Sequence, residues 1–569
     1  MHPRISILAP MSLLPAKVKH HAETQPDAVF CTFLSGGASQ RITYRDLYDA
    51  SCSYAQEYLR RGIRPHDVIL IILHHSPHMF FSFLGATLAG AIPSFMPFPS
   101  VKQHADIYWA DHEALFERLQ PRLIVSYAAN LAAAKAVLDR FGIDALVANE
   151  AVLDGPRNFE PQYPGLSASP KDVACLQHSS GTTGLKKGVM LTHQALLEHV
   201  ESYARAIAFS DHDRIVSWLP LYHDMGFIAC FILTIVRGTH LVAMDPFEWA
   251  NRPQLLLDAI QAYRPTLCWM PNFAFSHLVR TSGRPGLFDL SSIRAFINCS
   301  EPCKPATFDR FIEHFAQSGV DRSRLAVCYA MAENVFAVTQ TRLGQASAII
   351  DVDAEALAQG YVRNAQPGAR TQSLLSCGTL IDGVDIRICD AAGSDSQDGE
   401  VGEVYVAGKS LFSGYYGQPA LTARRLRSGW FATGDMAFVR DQQLYVTGRV
   451  DDMIIVNGRN YYAHEIEILV NAVPGIVPGR SVSIGITDEE SDTTGVIVLA
   501  EFDETSADAT QVVRAVRVEV FERLGLSLRS IVPLRKGSLV KTTSGKISRV
   551  KNKEMYLHGL FQDVSVGKR

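Results

Sequence analysis

The densest chemistry in the chain lies in Gln177-His-Ser-Ser-Gly-Thr-Thr-Gly-Leu-Lys-Lys-Gly188, directly after the apolar run Val173 to Leu176. Glycines and small residues let successive backbone N–H groups converge on an anion, Ser and Thr hydroxyls add donors, and Lys187 supplies charge, so the natural guest is a polyphosphate. This is not the Walker loop of the P-loop nucleotidases. Five residues after Gly181 stands Lys186, where that motif needs glycine, and the absence of any GxGxxG removes the dinucleotide dehydrogenases as well. Taken alone, a Gly/Ser/Thr-rich stretch also fits a plain surface turn.

The elements around the loop argue for a rigid support. Short β-branched runs alternate with helical patterns, as in Val68 to Leu73, Met79 to Gly90 and Leu123 to Ser126, which predicts an α/β fold of parallel sheets with helices on both faces. From about Gly378 the texture changes to short strands and Gly turns, at Asp385 to Cys389, Glu403 to Val406 and Leu444 to Val446, and predicts a β-rich subdomain. A boundary follows near Arg449 to Asp452. Beyond it, strands at Val482 to Gly485, Gly495 to Glu501 and Ile531 to Leu534, and a helix with Val513, Val516, Val520 and Leu524 on one face, predict a small α+β unit.

Composition narrows the function. The 569 residues allow several compact units, and 54 Lys plus Arg against 58 Asp plus Glu leave a formal charge of −4, which disfavours a nucleic-acid-binding surface. Apolar stretches such as Gly226 to Val236 are too short to span a bilayer, and MHPRISILAPMSLL does not read as a cleaved signal peptide. Ten scattered cysteines without a CxxC predict reduced core thiols in a cytoplasmic protein.

The phosphate loop, ending in Lys-Gly, resembles the first signature of the class I adenylate-forming superfamily, which contains acyl-CoA synthetases, luciferases and peptide-synthetase adenylation domains. Four further motifs follow in the family's order. Tyr329-Ala-Met-Ala-Glu333 is similar to its Tyr-Gly-x-Thr-Glu box, Trp430-Phe-Ala-Thr-Gly-Asp435 to its Thr-Gly-Asp box, Gly448-Arg-Val-Asp-Asp-Met-Ile-Ile-Val-Asn-Gly458 to its hinge box, and Thr543-Ser-Gly-Lys546 to its C-terminal lysine loop. The chain departs from the pattern at Lys186, in place of the usual Pro, and at Ala330 and Ala332, in place of the common Gly and Thr, so one hydroxyl near the phosphate is missing.

The resemblance implies a large N-terminal domain over residues 1–449, built of two mixed or parallel α/β sheets with the β-rich subdomain at about 378–449. It also implies a hinge at 450–452, pivoting on Asp451, and a mobile α+β C-terminal domain over 453–569. ATP and Mg²⁺ are the implied cofactors. Joining ATP to a carboxylate requires cations and N–H donors around the α-phosphate and a metal on the outer oxygens.

Residue by residue, the resemblance assigns Ser179, Ser180, Gly181, Thr182, Thr183, Gly184 and Lys187 to the phosphates, Ser300, Glu301, Pro302 and Tyr329 to the base side, and Met331 and Ala332 to the nucleotide. Tyr329 is expected to lie flat on the adenine. Asp435 is suited to accept from both ribose hydroxyls, with Arg449 as a second hold. Glu333 offers the hard carboxylate oxygen that Mg²⁺ takes while keeping waters and phosphate oxygens. Lys546, on its Gly/Ser turn, bridges the attacking carboxylate and the α-phosphate, with Lys541 as its rival, and His223 in Leu219-Pro-Leu-Tyr-His-Asp-Met-Gly226 orients the carboxylate or gates the acyl tunnel.

Within the superfamily, Leu221-Tyr-His-Asp-Met-Gly226, Met270-Pro-Asn-Phe-Ala274, Asn298 to Pro302 and Asn457-Gly-Arg-Asn-Tyr-Tyr462 resemble the fatty acyl-AMP ligase branch. The stretch from Glu333 to Gly378 is longer than a CoA ligase needs, and residues 342–376, with Ile350-Asp-Val-Asp-Ala-Glu-Ala-Leu357, are similar to that branch's inserted segment. The implied partners are a carboxylic acid, expected to be a fatty acid, and an acyl carrier protein acting in trans for polyketide, lipopeptide or lipid assembly. Nucleic acid and stable membrane insertion are not expected. The competing readings are an acyl-CoA synthetase of the same fold and a degenerate nucleotide-binding relative without activity.

Overall fold

Runs without polar residues become strands covered on both faces. In the computed structural model, which describes residues 13–99, 105–154, 162–179, 187–456, 459–488, 493–503, 509–541 and 547–561, Val68–Ile72 is buried at every position. It pairs in parallel with Ile92–Phe95 and Leu123–Ser126, and Asp144–Val147 extends this sheet beside Leu123–Ser126. A second, nine-stranded sheet runs in the order Thr379–Leu380, Ala337–Gln340, Leu325–Ala330, Ala295–Asn298, Leu267–Met270, Arg214–Ser217, His240–Met244, Val29–Ser35, Ala38–Thr43. From Leu325–Ala330 to Val29–Ser35 the strands are parallel, and antiparallel strands close both edges.

The hairpin Val173–Ser179 with Lys187–Thr192 leans on the smaller sheet, where Ser94 Oγ donates to the Leu176 carbonyl at 3.0 Å. The β-rich region is a five-stranded sheet of Val384–Cys389, Gly402–Gly408, Trp430–Arg440, Leu426–Arg427 and Gln443–Arg449, each of the three expected strands being longer than the apolar run that marked it. One continuous core joins these layers from Leu14 to Leu444.

After residue 452 the core is a different one. Ile476–Asp488, Thr493–Phe502 and Ser530–Leu534 form a three-stranded sheet, and the helix Ala509–Leu524 buries Val512, Val516 and Val520 on it. Val513 and Leu524, expected in that stripe, lie at its margin, because the buried residues follow an unbroken i, i+4, i+8 row that starts at Val512. Residues 349–375 form a hairpin, Ile349–Asp353 and Thr371–Leu375, with the helix Ala354–Ala358 between. Val352 and Leu357 are buried against Phe438 and Tyr445, whereas Ile349 is 40% exposed. All ten cysteines are free thiols, and among the described residues no helix is long and apolar enough to cross a membrane.

Where the β-rich sheet meets the chain's last unit, a missing side chain makes the room. A Cβ on Gly448 would lie 2.2 Å from Tyr462 Cδ1, and Tyr462 Oη shares a hydrogen bond with Thr447 Oγ1 at 3.1 Å. We expect Gly448→Ala to push the Tyr462 ring from its seat at a cost of ~1–3 kcal/mol, the usual penalty of an overpacked contact. A lower midpoint in urea unfolding checks this. An unchanged midpoint would mean the ring gives way freely.

Candidate active site

In a sheet of parallel strands the carboxyl ends all point to one edge, and ligands bind in the crevice outside it. Four strands of the nine-stranded sheet deliver sequence-marked residues there. Arg214–Ser217 leads to His223, Leu267–Met270 to Asn272, Ala295–Asn298 to Ser300, Glu301 and Pro302, and Leu325–Ala330 to Met331, Ala332 and Glu333.

Two of these strand ends carry left-handed backbone on residues with side chains. Ser300 has φ 70° and Val335 φ 63°, and a β-branched residue held there is strained by roughly 1–3 kcal/mol. The strain is over-determined around Glu333. Asn334, fully buried, donates to the Ala337 carbonyl at 2.7 Å, Val335 N–H donates to the Ala332 carbonyl at 2.9 Å, and Met331 N–H donates to the Phe336 carbonyl at 2.8 Å. The Glu301 carboxylate accepts from Phe273 N–H at 3.0 Å, in the first turn of the helix Asn272–Thr281.

Glu333 is half-buried, its carbonyl accepts from Phe412 N–H at 2.8 Å, and its Oε1 accepts from Tyr415 Oη at 2.7 Å. The ring of Tyr415 in turn faces Lys187, whose Nζ lies 5.5 Å from the ring centroid. Lys187 opens the second strand of the hairpin opposite Ser179, the last residue of the first. Ser180, Gly181, Thr182, Thr183, Gly184 and Lys186 lie outside the described residues. Burial pulls the Lys187 ammonium below the usual lysine range, Glu333 opposes this, and Arg425 and Arg449 add to it. Lys187 therefore sits within electrostatic reach of Glu333, Arg425, Arg449 and Asp451.

The predicted ribose carboxylate belongs to the same group. Asp435 is 16% exposed, Tyr329 Oη donates to its Oδ2 at 2.7 Å, and Arg449, paired opposite it on the neighbouring strand, brings Nε to 2.9 Å from Oδ1. The Arg449 N–H is not aimed at that oxygen, so the contact is an ion pair and not a hydrogen bond. Burial pushes the Asp435 carboxyl up, and Arg449 and the Tyr329 hydroxyl counter it.

The turn Val450–Asp452, where the hinge is expected, follows Arg449 directly, with Asp451 exposed. Its neighbour Asp452 pairs with Arg549 of the last helix, and Arg549 also donates to Glu467 at 2.7 Å and to the Ser483 carbonyl at 3.1 Å. Lys546 lies outside the described residues, but the chain on either side of 542–546 is pinned. Lys541 bridges to Ile547, fully buried Asn552 exchanges hydrogen bonds with Val540 at 3.0 and 2.9 Å, and Leu539 N–H donates to the buried Glu501 at 2.9 Å.

Lys187, Tyr329, Glu333, Asp435, Arg449 and Asp451 thus converge, while strand order alone puts His223, Ser300 and Pro302 on the same edge. Tyr415 was missed. Its only sequence signal is the glycine bracket in Gly414-Tyr-Tyr-Gly417, and its partner Glu333 stands 82 residues away. A single half-buried carboxylate fits a magnesium ion that arrives on a polyphosphate and keeps its waters. It does not fit an all-protein cage, and among the described residues no group of three or more His, Cys, Asp and Glu side chains is arranged to hold a metal.

The AMP-binding enzyme family matches residues 18–416. The chain is 31% identical over 407 residues to the medium-chain-fatty-acid–[acyl-carrier-protein] ligase JamA of Moorena producens, covering 68% of each chain. It is 28% identical over 590 residues to the long-chain-fatty-acid–AMP ligase FadD26 of Mycobacterium tuberculosis, covering 97% of this chain and 98% of the other. A solved structure from work on fatty acyl-adenylate ligases of E. coli and L. pneumophila superposes with a TM-score of 0.86 at 25% identity, covering 96% of this chain and 98% of the other.

The Asp435 contacts generate a specific expectation. Asp435→Ala should weaken ATP by ~1.5–3 kcal/mol, the worth of a charge-assisted hydrogen bond, and deoxy-ATP should then suffer little further loss. Inhibition constants for ATP and its 2′- and 3′-deoxy analogues measure this. A mutant that still discriminates strongly among them would move the ribose role elsewhere.

Proposed function

The chain belongs to the AMP-binding enzyme family, and from that premise we propose that it is a fatty acyl-AMP ligase loading a separate acyl carrier protein. The observation that carries the reading is the convergence of Lys187, Glu333, Asp435 and Arg449 around Tyr329 and Tyr415, on the edge of the sheet where a nucleotide belongs. Asp435 and Arg449 hold the ribose, Tyr329 presents its ring to the base, and Lys187 with the loop from Ser179 to Gly184 takes the phosphates. Glu333 would hold Mg²⁺, which when bound would supply positive charge to offset that of the phosphates.

In the first half-reaction a carboxylate oxygen attacks the α-phosphorus, the bond to the bridging oxygen breaks, and pyrophosphate leaves. Lys546 offsets the charge that builds between the two anions, and His223 orients the acid. In the second, a phosphopantetheine thiol attacks the acyl carbon, loses its proton and expels AMP. The two steps need different groups in one place, and rotation of residues 453–569 about Asp451 supplies them in turn. The free thiols and the modest net charge suit a cytoplasmic enzyme with no nucleic-acid partner.

Residues 342–376 favour a carrier over CoA. Their hairpin packs Val352 and Leu357 on the β-rich sheet, and on its other side Gln372 Nε2 donates to Glu465 Oε1 at 2.7 Å, in the first turn of the helix Ala463–Ala472. A segment that grips both units disfavours rotation, and a few kcal/mol is enough to change the rotated population tenfold or more.

The deciding experiment supplies ATP with a panel of carboxylic acids and scores pyrophosphate, acyl adenylate, acyl-CoA and acyl-carrier products separately. We expect slow release of acyl adenylate, transfer to carrier and little acyl-CoA. Acyl-CoA formed as readily as the carrier thioester would hand the assignment to an acyl-CoA synthetase, and no adenylate from any acid would leave a nucleotide-binding relative. Replacing 342–376 with a Gly/Ser linker should raise CoA thioester while adenylation stays near normal. Lys546→Ala should lose one to several kcal/mol on adenylation, about tenfold per 1.4, and keep acyl transfer from supplied acyl adenylate. Equal loss in both half-reactions would contradict the role given to Lys546.

A further inference from the structure

We propose that Tyr415 is a positioning residue of the adenylation step: its hydroxyl fixes the Glu333 carboxylate for the metal that ATP brings, and its ring seats Lys187 against the phosphates. The inference rests on the acyl-AMP ligase reading and on Glu333 as the metal carboxylate.

The loop that bears Tyr415 is fastened to both groups it would position. On one side it zips onto the strand that Lys187 opens. Met190 N–H donates to the Gly414 carbonyl at 3.0 Å, Ser413 N–H to the Met190 carbonyl at 3.0 Å, and Tyr416 N–H to the Gly188 carbonyl at 2.8 Å. On the other it meets the Glu333 turn twice, through Phe412 N–H and through Tyr415 Oη. The side chain has little freedom. It is 3% exposed, its ring packs on Phe412 at 4.8 Å between centroids, Phe412 packs on Phe431 at 5.2 Å, and its N–H donates to Thr422 Oγ1 at 2.9 Å.

A phenol suits this place for two reasons. As a neutral donor it orients a carboxylate and leaves the negative charge for a divalent cation, whereas Arg or Lys would cancel that charge. Its ring face attracts an ammonium, which an aliphatic hydroxyl cannot do.

The test uses the full chain and measures ATP affinity by calorimetry, once in EDTA and once in excess Mg²⁺. Tyr415→Phe keeps the ring and removes the hydroxyl. Its affinity in EDTA should stay within about twofold of wild type, while the gain on adding Mg²⁺ shrinks about tenfold, the scale of one lost hydrogen bond to a charged group. Tyr415→Leu removes the ring as well and should weaken ATP in EDTA too, because Lys187 loses its seat. A merely structural tyrosine would move both conditions equally in Tyr415→Phe, and a wild-type magnesium gain in that variant overturns the proposal. Unchanged affinity in EDTA for Tyr415→Leu overturns the Lys187 part. If wild type itself shows no magnesium gain, the metal assignment to Glu333 falls and the proposal with it. Failure of wild type to make any acyl adenylate, with the magnesium gain intact, would sink the ligase reading alone.

Discussion

Asp435 is a carboxylate removed from most of its water and held by two partners from different parts of the fold. Tyr329 reaches it from the last parallel strand of the nine-stranded sheet, and Arg449 from the strand that runs into the hinge turn. A buried carboxylate without such partners would cost several kcal/mol, so the β-rich sheet must dock on the larger sheet in the one position that completes this contact. The turn Val450–Asp452 begins at the next residue, and Asp452 is tied by Arg549 to the last unit. A single pair of contacts therefore relates the carboxyl edge of the large sheet, the β-rich sheet and that turn.

The second constraint is strain. Ser300 and Val335 hold positive φ at the ends of neighbouring parallel strands, and Val335 pays for this fully buried. Such conformations persist where the surroundings dictate them. At Glu333 they are dictated by Asn334, which donates to the Ala337 carbonyl and accepts from Ser410 Oγ at 3.2 Å, and by the Phe412 N–H. The turn is thereby fixed by the fold itself, and a carboxylate already held in place loses less freedom on taking a cation than one that must be ordered.

The fold class was legible because buried parallel strands are written as unbroken apolar runs, and Val68–Ile72 and Leu123–Ser126 are readable by eye. Edges were less so. Apolar runs mark the buried middle of a strand, so Gln443–Arg449 was read only at Leu444 to Val446, and the stripe of Ala509–Leu524 was read correctly at Val516 and Val520 but with Val513 in place of Val512 and with Leu524 added. Motif residues such as Glu333 and Asp435 announce themselves by short-range pattern. Tyr415 does not, because its meaning lies in partners at Lys187 and Glu333 that only the folded chain brings near. The Gln372–Glu465 contact was hidden for the same reason, although the length of the segment that makes it was visible.

That contact also limits what the hairpin at 349–375 can do. Glu465 is half-buried, and desolvation pushes its carboxyl up, with the Gln372 amide and Arg370 working the other way. The Gln372 amide is neutral, so the Coulomb attraction that offsets the lost hydration comes from Arg370. The firm side is the other one, where Val352 and Leu357 sit against the stacked pair Phe438 and Tyr445, 5.2 Å between centroids. The segment is thus anchored on the large unit by apolar burial and reaches the small one through polar groups, with Gln372 and Arg370 both facing Glu465.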